Sequence, residues 1–351
     1  MTNGDIYPLR LDIRYSRRIW GGGRLPEYLG RPAPDEGREP VGEAWLVYAE
    51  NQVLNGRFAG SSLQTVGARL GLRLLGTASA ARYGDKVPLL AKLIDAADRL
   101  SVQVHPDDAY ALTHEAASGH LGKSEAWYVL EAAPEAHVLW GFRRDVTRAE
   151  VRSAVADGTL PRLMNRIPVV AGDVIYNPAG TVHAIGAGIL LFEIQQSSDL
   201  TYRLFDYRRR DAEGRTRELH LEQALEVASL AGGGQARQTP VPLVHGWRRL
   251  VGCPHFVMDA TLLDGTEREG RTDPSSLQVV VLTHGHATLG WTGGEERLTR
   301  GAAVVLPASL GRYRLSGDGE ALRCAVVAEG GARSPRRDDG GTAATGHDGA
   351  S

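Results

Sequence analysis

Cysteine is nearly absent, with only Cys253 and Cys324 in 351 residues. Two thiols cannot build a disulfide framework or a cysteine-rich zinc site. Any metal must therefore be held by His, carboxylate and amide groups, and the two thiols read as reduced and packed. Net charge is nearly absent too: 40 Lys plus Arg stand against 42 Asp plus Glu, a balance of -2. Without a long-range field the chain does not gather nucleic acid or an anionic membrane, so an anionic ligand has to be held by a few local cations. No apolar run of 18 residues occurs, and the opening Met-Thr-Asn-Gly-Asp-Ile-Tyr-Pro lacks the basic and apolar halves of a secretion signal. The expectation is a cytoplasmic protein, a monomer or weak homo-oligomer, with a small-molecule partner.

Hydrophobic residues make up 42% of the chain, enough to fill two ordinary cores. Most apolar segments are short, β-branched and bounded by Gly, Pro or Asp: Val41 to Tyr48, Leu100 to Val104, Ala126 to Leu130, Val169 to Tyr176, Ile189 to Ile194, Leu277 to Leu282 and Ala302 to Leu306. Helical spacing is confined to Ser61 to Leu75, about Asp107 to Ser118, Leu219 to Leu230, and a segment opened by a Thr147/Glu150 capping box. That pattern excludes a parallel α/β fold and predicts an all-β protein with helical insertions. Gly232 to Gln238 reads as a linker, and the stretch after Gly330 has no large apolar residue to offset its ordering. The predicted organisation is 1–235, 236–330 and a disordered tail, 331–351.

Three segments carry polar residues on the inward period of a strand. In Leu100-Ser101-Val102-Gln103-Val104-His105-Pro106, Ser101, Gln103 and His105 share a face. In Gly122-Lys123-Ser124-Glu125-Ala126-Trp127, Lys123, Glu125 and Trp127 do the same, and an inward carboxylate requires a cation or a metal. A phosphate-loop reading of Gly-Lys-Ser fails, because Ala117 stands where that motif needs glycine and a strand follows. Taken singly, each of these two segments reads equally well as a solvated face or a surface salt bridge. The third, Gly172 to His183, has the form G-x5-P-x-G-x2-H: a strand, a tight Pro-Gly turn, and a His entering the next strand. It resembles the second signature motif of cupins, small jelly-roll barrels that hold a metal between strands, although Ala187 replaces that family's usual Asn. Jointly Gln103, His105, Glu125 and His183 offer an amide, two imidazoles and a carboxylate. Such a set suits Zn2+, with Fe2+ or Mn2+ as lesser candidates, and leaves room for water or substrate.

With Glu193 to Gln196 and Asp199-Leu-Thr-Tyr-Arg203-Leu-Phe-Asp-Tyr added, these segments resemble class I mannose-6-phosphate isomerases, in particular the shorter bacterial branch. The similarity runs in order from Tyr7 to about Ser229 and more weakly through Cys253-Pro-His-Phe. It implies two cupin-type jelly-roll β-barrels, the second degenerate and without metal, and an aldose–ketose isomerase acting through a cis-enediol on a sugar phosphate. It implies the ligand set Gln103, His105, Glu125 and His183, with Ser101, Lys92 and Lys123 toward the phosphate and Arg203 toward the enediolate. For the proton-moving base the candidates are Asp199 first and Glu43 second. Gly122 departs from the larger members, which have His before the motif Lys. The helical stretch between His105 and Glu125 is expected to cap the mouth of the barrel. In the C-terminal part Gly301 and Pro307 echo the first turn, but no His follows, so His284 and His286 read as turn or surface residues. Read from the residues alone, Lys92 could reach solvent and Arg203 could pair with Asp199. Competing functions are another metal-dependent sugar-modifying cupin, an epimerase or dioxygenase, and an inactive sugar-phosphate-binding regulator.

Overall fold

Short β-branched segments bury a face only by pairing with partners far along the chain. In the computed structural model, which describes residues 6–34 and 37–327, these segments form two β units on one plan. The first is a sandwich. One sheet carries, in spatial order, Arg14–Arg17, Val41–Val47, Leu89–Ala96, Ile189–Gln196, Glu125–Ala132 and Val174–Asn177. The other carries Tyr202–Phe205, Val102–Val104, His183–Ile185, His137–Phe142 and Met164–Pro168.

The second unit runs through Val241–Pro242, Trp247–Gly252, Phe256–Asp264, Arg312–Val326, Gln278–Trp291 and Ala303–Leu306, the same order as the first sheet. Its strands of 14 and 15 residues are long enough to pass into the second layer. There Gln278–Trp291 pairs with Gly294–Thr299, and Arg312–Val326 pairs with Arg268–Arg271. In the first unit the same two paths are broken by turns at Glu135 and Gly188, both at positive φ. Both units thus have the expected β class, and among the described residues the α-helical insertions all fall in the first. Among the described residues, however, the first unit's ladders form two separate sheets and do not close into a hydrogen-bonded barrel.

The two units are joined by apolar packing. One buried cluster unites Leu46, Leu63, Phe192 and Ile194 with Leu250, Met258, Val279 and Cys324. The short strand Leu9–Arg10 crosses over, pairing with Val304 and Val305 of the second unit. Both cysteines are free and buried.

Several local expectations change. The predicted helix Ser61 to Leu75 is two helices, Leu63–Leu70 and Leu72–Leu75, because Gly71 takes a positive φ of 53° and ends the first. Val169 to Asp173 is a turn before the strand Val174–Asn177, with Val170 N donating to the Asp173 carboxylate at 2.9 Å. The segment read as a linker is laid along a sheet edge: Tyr176 N donates to Ala236 O at 3.0 Å and Gln238 N to Val174 O at 2.9 Å. It satisfies an edge that would otherwise be open. The Thr147/Glu150 capping box opens Arg148–Asp157 as predicted. His284 and His286 are exposed beside a bulge. The predicted tail, 331–351, lies outside the described residues. Among those described, no helix is long and apolar enough to cross a membrane.

Candidate metal centre and substrate cavity

Three neighbouring strands line up Arg203, Gln103 and His183 directly across one sheet. On the facing sheet Lys92, Glu193 and Trp127 form a second row. Between the rows His105, Glu125 and His183 are buried, with their ligand atoms all within 4.8 Å of one another. His183 Nε2 is 3.2 Å from Glu125 Oε1, and His105 Nε2 is 3.3 Å from Oε2.

The other nitrogen of each ring shows what these atoms are for. His105 Nδ1 meets Leu200 O at 2.8 Å and His183 Nδ1 meets Thr181 O at 2.9 Å. A carbonyl can only accept, so Nδ1 of each ring carries a proton, which in the neutral tautomer leaves the Nε2 lone pair for the centre. Both Glu125 oxygens are buried without a hydrogen-bond donor; Lys123 Nζ reaches Oε2 only as an ion pair at 2.9 Å. Gln103 Nε2 sits 3.4 Å from His183 Nε2, and a half turn of the amide brings its oxygen to the same point. Convergent lone pairs with an orphaned carboxylate fit a divalent cation, and these residues could hold one.

Electrostatics support that pattern at His105. Burial and the neighbouring Lys123 push His105 down to about 3. Burial would raise Glu125, but the Lys123 ammonium beside it holds it well below the usual carboxylate range. Lys92 is pulled down by burial and raised more by Glu193 and Glu43, at 3.0 and 3.5 Å. Glu43, despite burial, is lowered by Lys92 and by Arg18 at 2.9 Å. Burial and the nearby Glu125 raise Glu193.

Above the centre lies a cavity of about 580 Å3. Glu43, Lys92, Ser101, Gln103, Lys123, Asp199 and Arg203 all line it, so all ten sequence-predicted residues meet at one place. Lys92 is buried and does not reach solvent. Arg203 donates to Glu218 O at 2.8 Å and not to Asp199, which is exposed at the rim. Its Nε is buried without a partner, and burial and Arg217 lower the group.

Other contributors were not foreseen. Arg17, Arg18, Arg215 and Arg217 line the cavity from two segments without motif spacing. Glu193 had a signal, a lone carboxylate in the apolar run Ile189-Leu-Leu-Phe-Glu-Ile, buried and bonded to Trp127 Nε1 at 2.8 Å. The helix Asp108–His114 contributes nothing to the lining and does not cap the mouth. It braces the site from outside: Asp108 Oδ1 accepts from Gly122 N and Gln196 Nε2, both at 2.9 Å, and Gln196 Oε1 accepts from Ser124 N at 2.9 Å. The loop carrying Lys123 is thereby fixed.

Residues 9–130 match the model of the phosphomannose isomerase type I catalytic domain. The chain is 38% identical to a mannose-6-phosphate isomerase of Streptococcus mutans over 322 residues, 90% of this chain and 97% of that one. It is 35% identical to the mannose-6-phosphate isomerase ManA of Bacillus subtilis over 321 residues, 90% and 98% of the two chains. A crystal structure of the Bacillus subtilis mannose 6-phosphate isomerase superposes with a TM-score of 0.79 at 29% identity, covering 90% of this chain and 99% of the other. With sequence and fold in agreement over nearly its whole length, the chain belongs to the type I mannose-6-phosphate isomerase family.

Proposed function

We propose that the protein interconverts mannose 6-phosphate and fructose 6-phosphate as a metal-dependent aldose–ketose isomerase of the cytoplasm. The observation that carries this reading is the convergence of two Nδ1-pinned imidazoles on an orphaned Glu125 beneath a cation-lined cavity. Gln103, His105, Glu125 and His183 would hold one divalent cation, Zn2+ before Fe2+ or Mn2+. When bound, that ion supplies a Lewis acid for the oxygens on C1 and C2.

The chain's own residues do the rest. Ser101, Lys92 and Lys123 hold the substrate's oxygens, phosphate included, as local donors in a protein with no net positive field. Arg203, with an N–H unspent, faces the charge that develops on the enediol oxygens and stays cationic throughout. A carboxylate then moves the proton between C2 and C1: Asp199 at the open rim or Glu43, held ionised on the wall. The reaction is assigned to residues 1–235 and a supporting, metal-free role to 236–330.

The test is isomerisation of mannose 6-phosphate before and after chelation and with Zn2+ restored. Turnover that vanishes and returns with metal is expected; no turnover when fully loaded would reject the reading. Asp199→Asn and Glu43→Gln identify the base as the variant that keeps substrate binding but loses kcat.

A further inference from the structure

Glu125 is flanked on both sides of its sheet by amides. Register pairs it directly with Asn177 on one neighbouring strand and with Gln195 on the other. Directly opposed residues project to the same face with Cβ atoms about 5 Å apart, so both amides stand beside the carboxylate inside the sandwich. Packing agrees: Ile175, two residues before Asn177, lies in the inter-sheet cluster with Trp127, whereas Val174 and Tyr176 pack on the opposite face. Asn177 and Gln195 are each 1% exposed.

The second unit does not repeat this row. Leu306 precedes Pro307 as Asn177 precedes Pro178, and Leu306 pairs with Gln278 as Asn177 pairs with Glu125. On its other side Gln278 has Ala325, where Glu125 has Gln195. Gln278 needs nothing from these neighbours, because it accepts from Tyr313 Oη at 2.8 Å and donates to Arg271 O at 2.9 Å. The polar flanks therefore go with the carboxylate and not with the shared strand order.

The two amides differ in what they have left to give. Gln195 Nε2 donates to Ser198 O at 2.6 Å and to Gln196 O at 3.0 Å, so its donor is spent. Asn177 has a partner on neither Nδ2 nor Oδ1. The turn that follows does not account for it. An asparagine opening a turn spends its oxygen on a backbone N–H two residues on. Here Ala179 N donates to Ser124 Oγ at 3.2 Å, and Thr181 N to Pro178 O at 3.1 Å. A buried amide with no local use calls for a partner, and the carboxylate directly opposite is itself without a hydrogen bond on either oxygen.

We propose that Asn177 is a positioning residue of the metal centre. Its Nδ2–H donates, directly or through one water, to the Glu125 carboxylate, and holds it in the orientation in which it meets a divalent cation together with His105 and His183. The inference rests on the metal-dependent reading given above. A ligating carboxylate that is itself hydrogen-bonded is oriented before the cation arrives, and outer partners of this kind carry a large share of metal affinity. Asn177 is not among the residues lining the substrate cavity, so its effect falls on metal and not on substrate.

The test is the Zn2+ affinity of the full chain, measured after chelation by competition with a chromophoric chelator. Asn177→Val and Asn177→Thr have nearly the same shape and differ by one hydroxyl donor, so packing alone treats them alike. Asn177→Val is expected to raise the Zn2+ dissociation constant about 10- to 100-fold, and Asn177→Thr to stay within about threefold of the parent. At saturating Zn2+ the KM for mannose 6-phosphate should be unchanged in both. Should Asn177→Val not fold, Asn177→Ala against Asn177→Ser makes the same comparison. Zn2+ bound equally by the paired variants, whether as tightly as by the parent or more weakly, would overturn the proposal, as would a KM raised in both. A parent chain that took up no Zn2+ would reject the metal-dependent reading together with this inference, whereas equal binding by all three rejects the inference alone.

Discussion

Lys92 and Glu193 of the first unit, with His183 and Glu125 below them, have Asp259, Arg323, Tyr313 and Gln278 as counterparts in the second. The strand order is common, but the chemistry is exchanged. In the second unit these inward groups satisfy one another: Asp259 accepts from Arg323 and Arg249, and Tyr313 donates to Gln278. In the first, both Glu125 oxygens and the Arg203 Nε are left without hydrogen-bond partners. Polar groups that pair internally make a core, while groups that cannot pair wait for a ligand. The jelly-roll order supplies the positions, and incomplete satisfaction makes one of them reactive.

Exchanging the matched residues tests this most severely. His183→Ala in metal-loaded protein is expected to lower kcat/KM for mannose 6-phosphate by about 10,000-fold, because a Lewis acid is worth several kcal/mol of barrier. Tyr313→Phe should leave kcat/KM where it was. Comparable losses in steady-state assays would mean that both units take part in the reaction.

Acid should separate the units next. His105 is near 3 when folded and near 6.5 when free, so the folded state binds fewer protons between those values. Stability of the metal-free protein is therefore present above pH 6.5 and falls as pH drops through the window, by on the order of 4 kcal/mol. Tyr313 and Gln278 take up no proton there. Denaturant titrations from pH 7 to 4 should show the loss, and amide exchange should loosen Val102–Val104 and His183–Ile185 before Gln278–Trp291. A flat profile, or earlier opening of the second unit, would count against the contrast.

The smallest effect concerns the inverted ion pair. Asp259→Asn leaves two arginines facing each other, and one of them, Arg249, keeps part of its water. A cost of about 2 kcal/mol is expected, read as a lower melting temperature with isomerase activity retained. An unchanged melting temperature would show that the pair is screened.

The convergence of these side chains could be read from sequence because Gln103, His105 and Glu125 interrupt apolar strands at the inward period, and because the Pro178 turn places His183. The Thr147 cap was equally legible, being a local contact. Helical spacing continued through Leu70 and Leu74, so the break at Gly71 was hidden by a periodicity that ignores φ. Arg17, Arg18, Arg215 and Arg217 belong to the cavity only through the tertiary path of their segments, which no spacing encodes. The match between His183 and Tyr313 was obscured as well. Tyr313 lies one residue farther from Pro307 than His183 lies from Pro178, and only strand register aligns them.

The strand Leu9–Arg10, paired with Val304 and Val305, has a consequence for how the molecule is made. During synthesis Leu9 precedes its partner Val305 by 296 residues. The first unit can gather its strands in the meantime, but the second must borrow its outermost strand from a segment made long before it, a contact of very long range that closes late. A cut between residues 235 and 236 would therefore not release two self-sufficient halves. The C-terminal piece would keep an open edge, and the N-terminal piece would carry a strand with nothing to pair with.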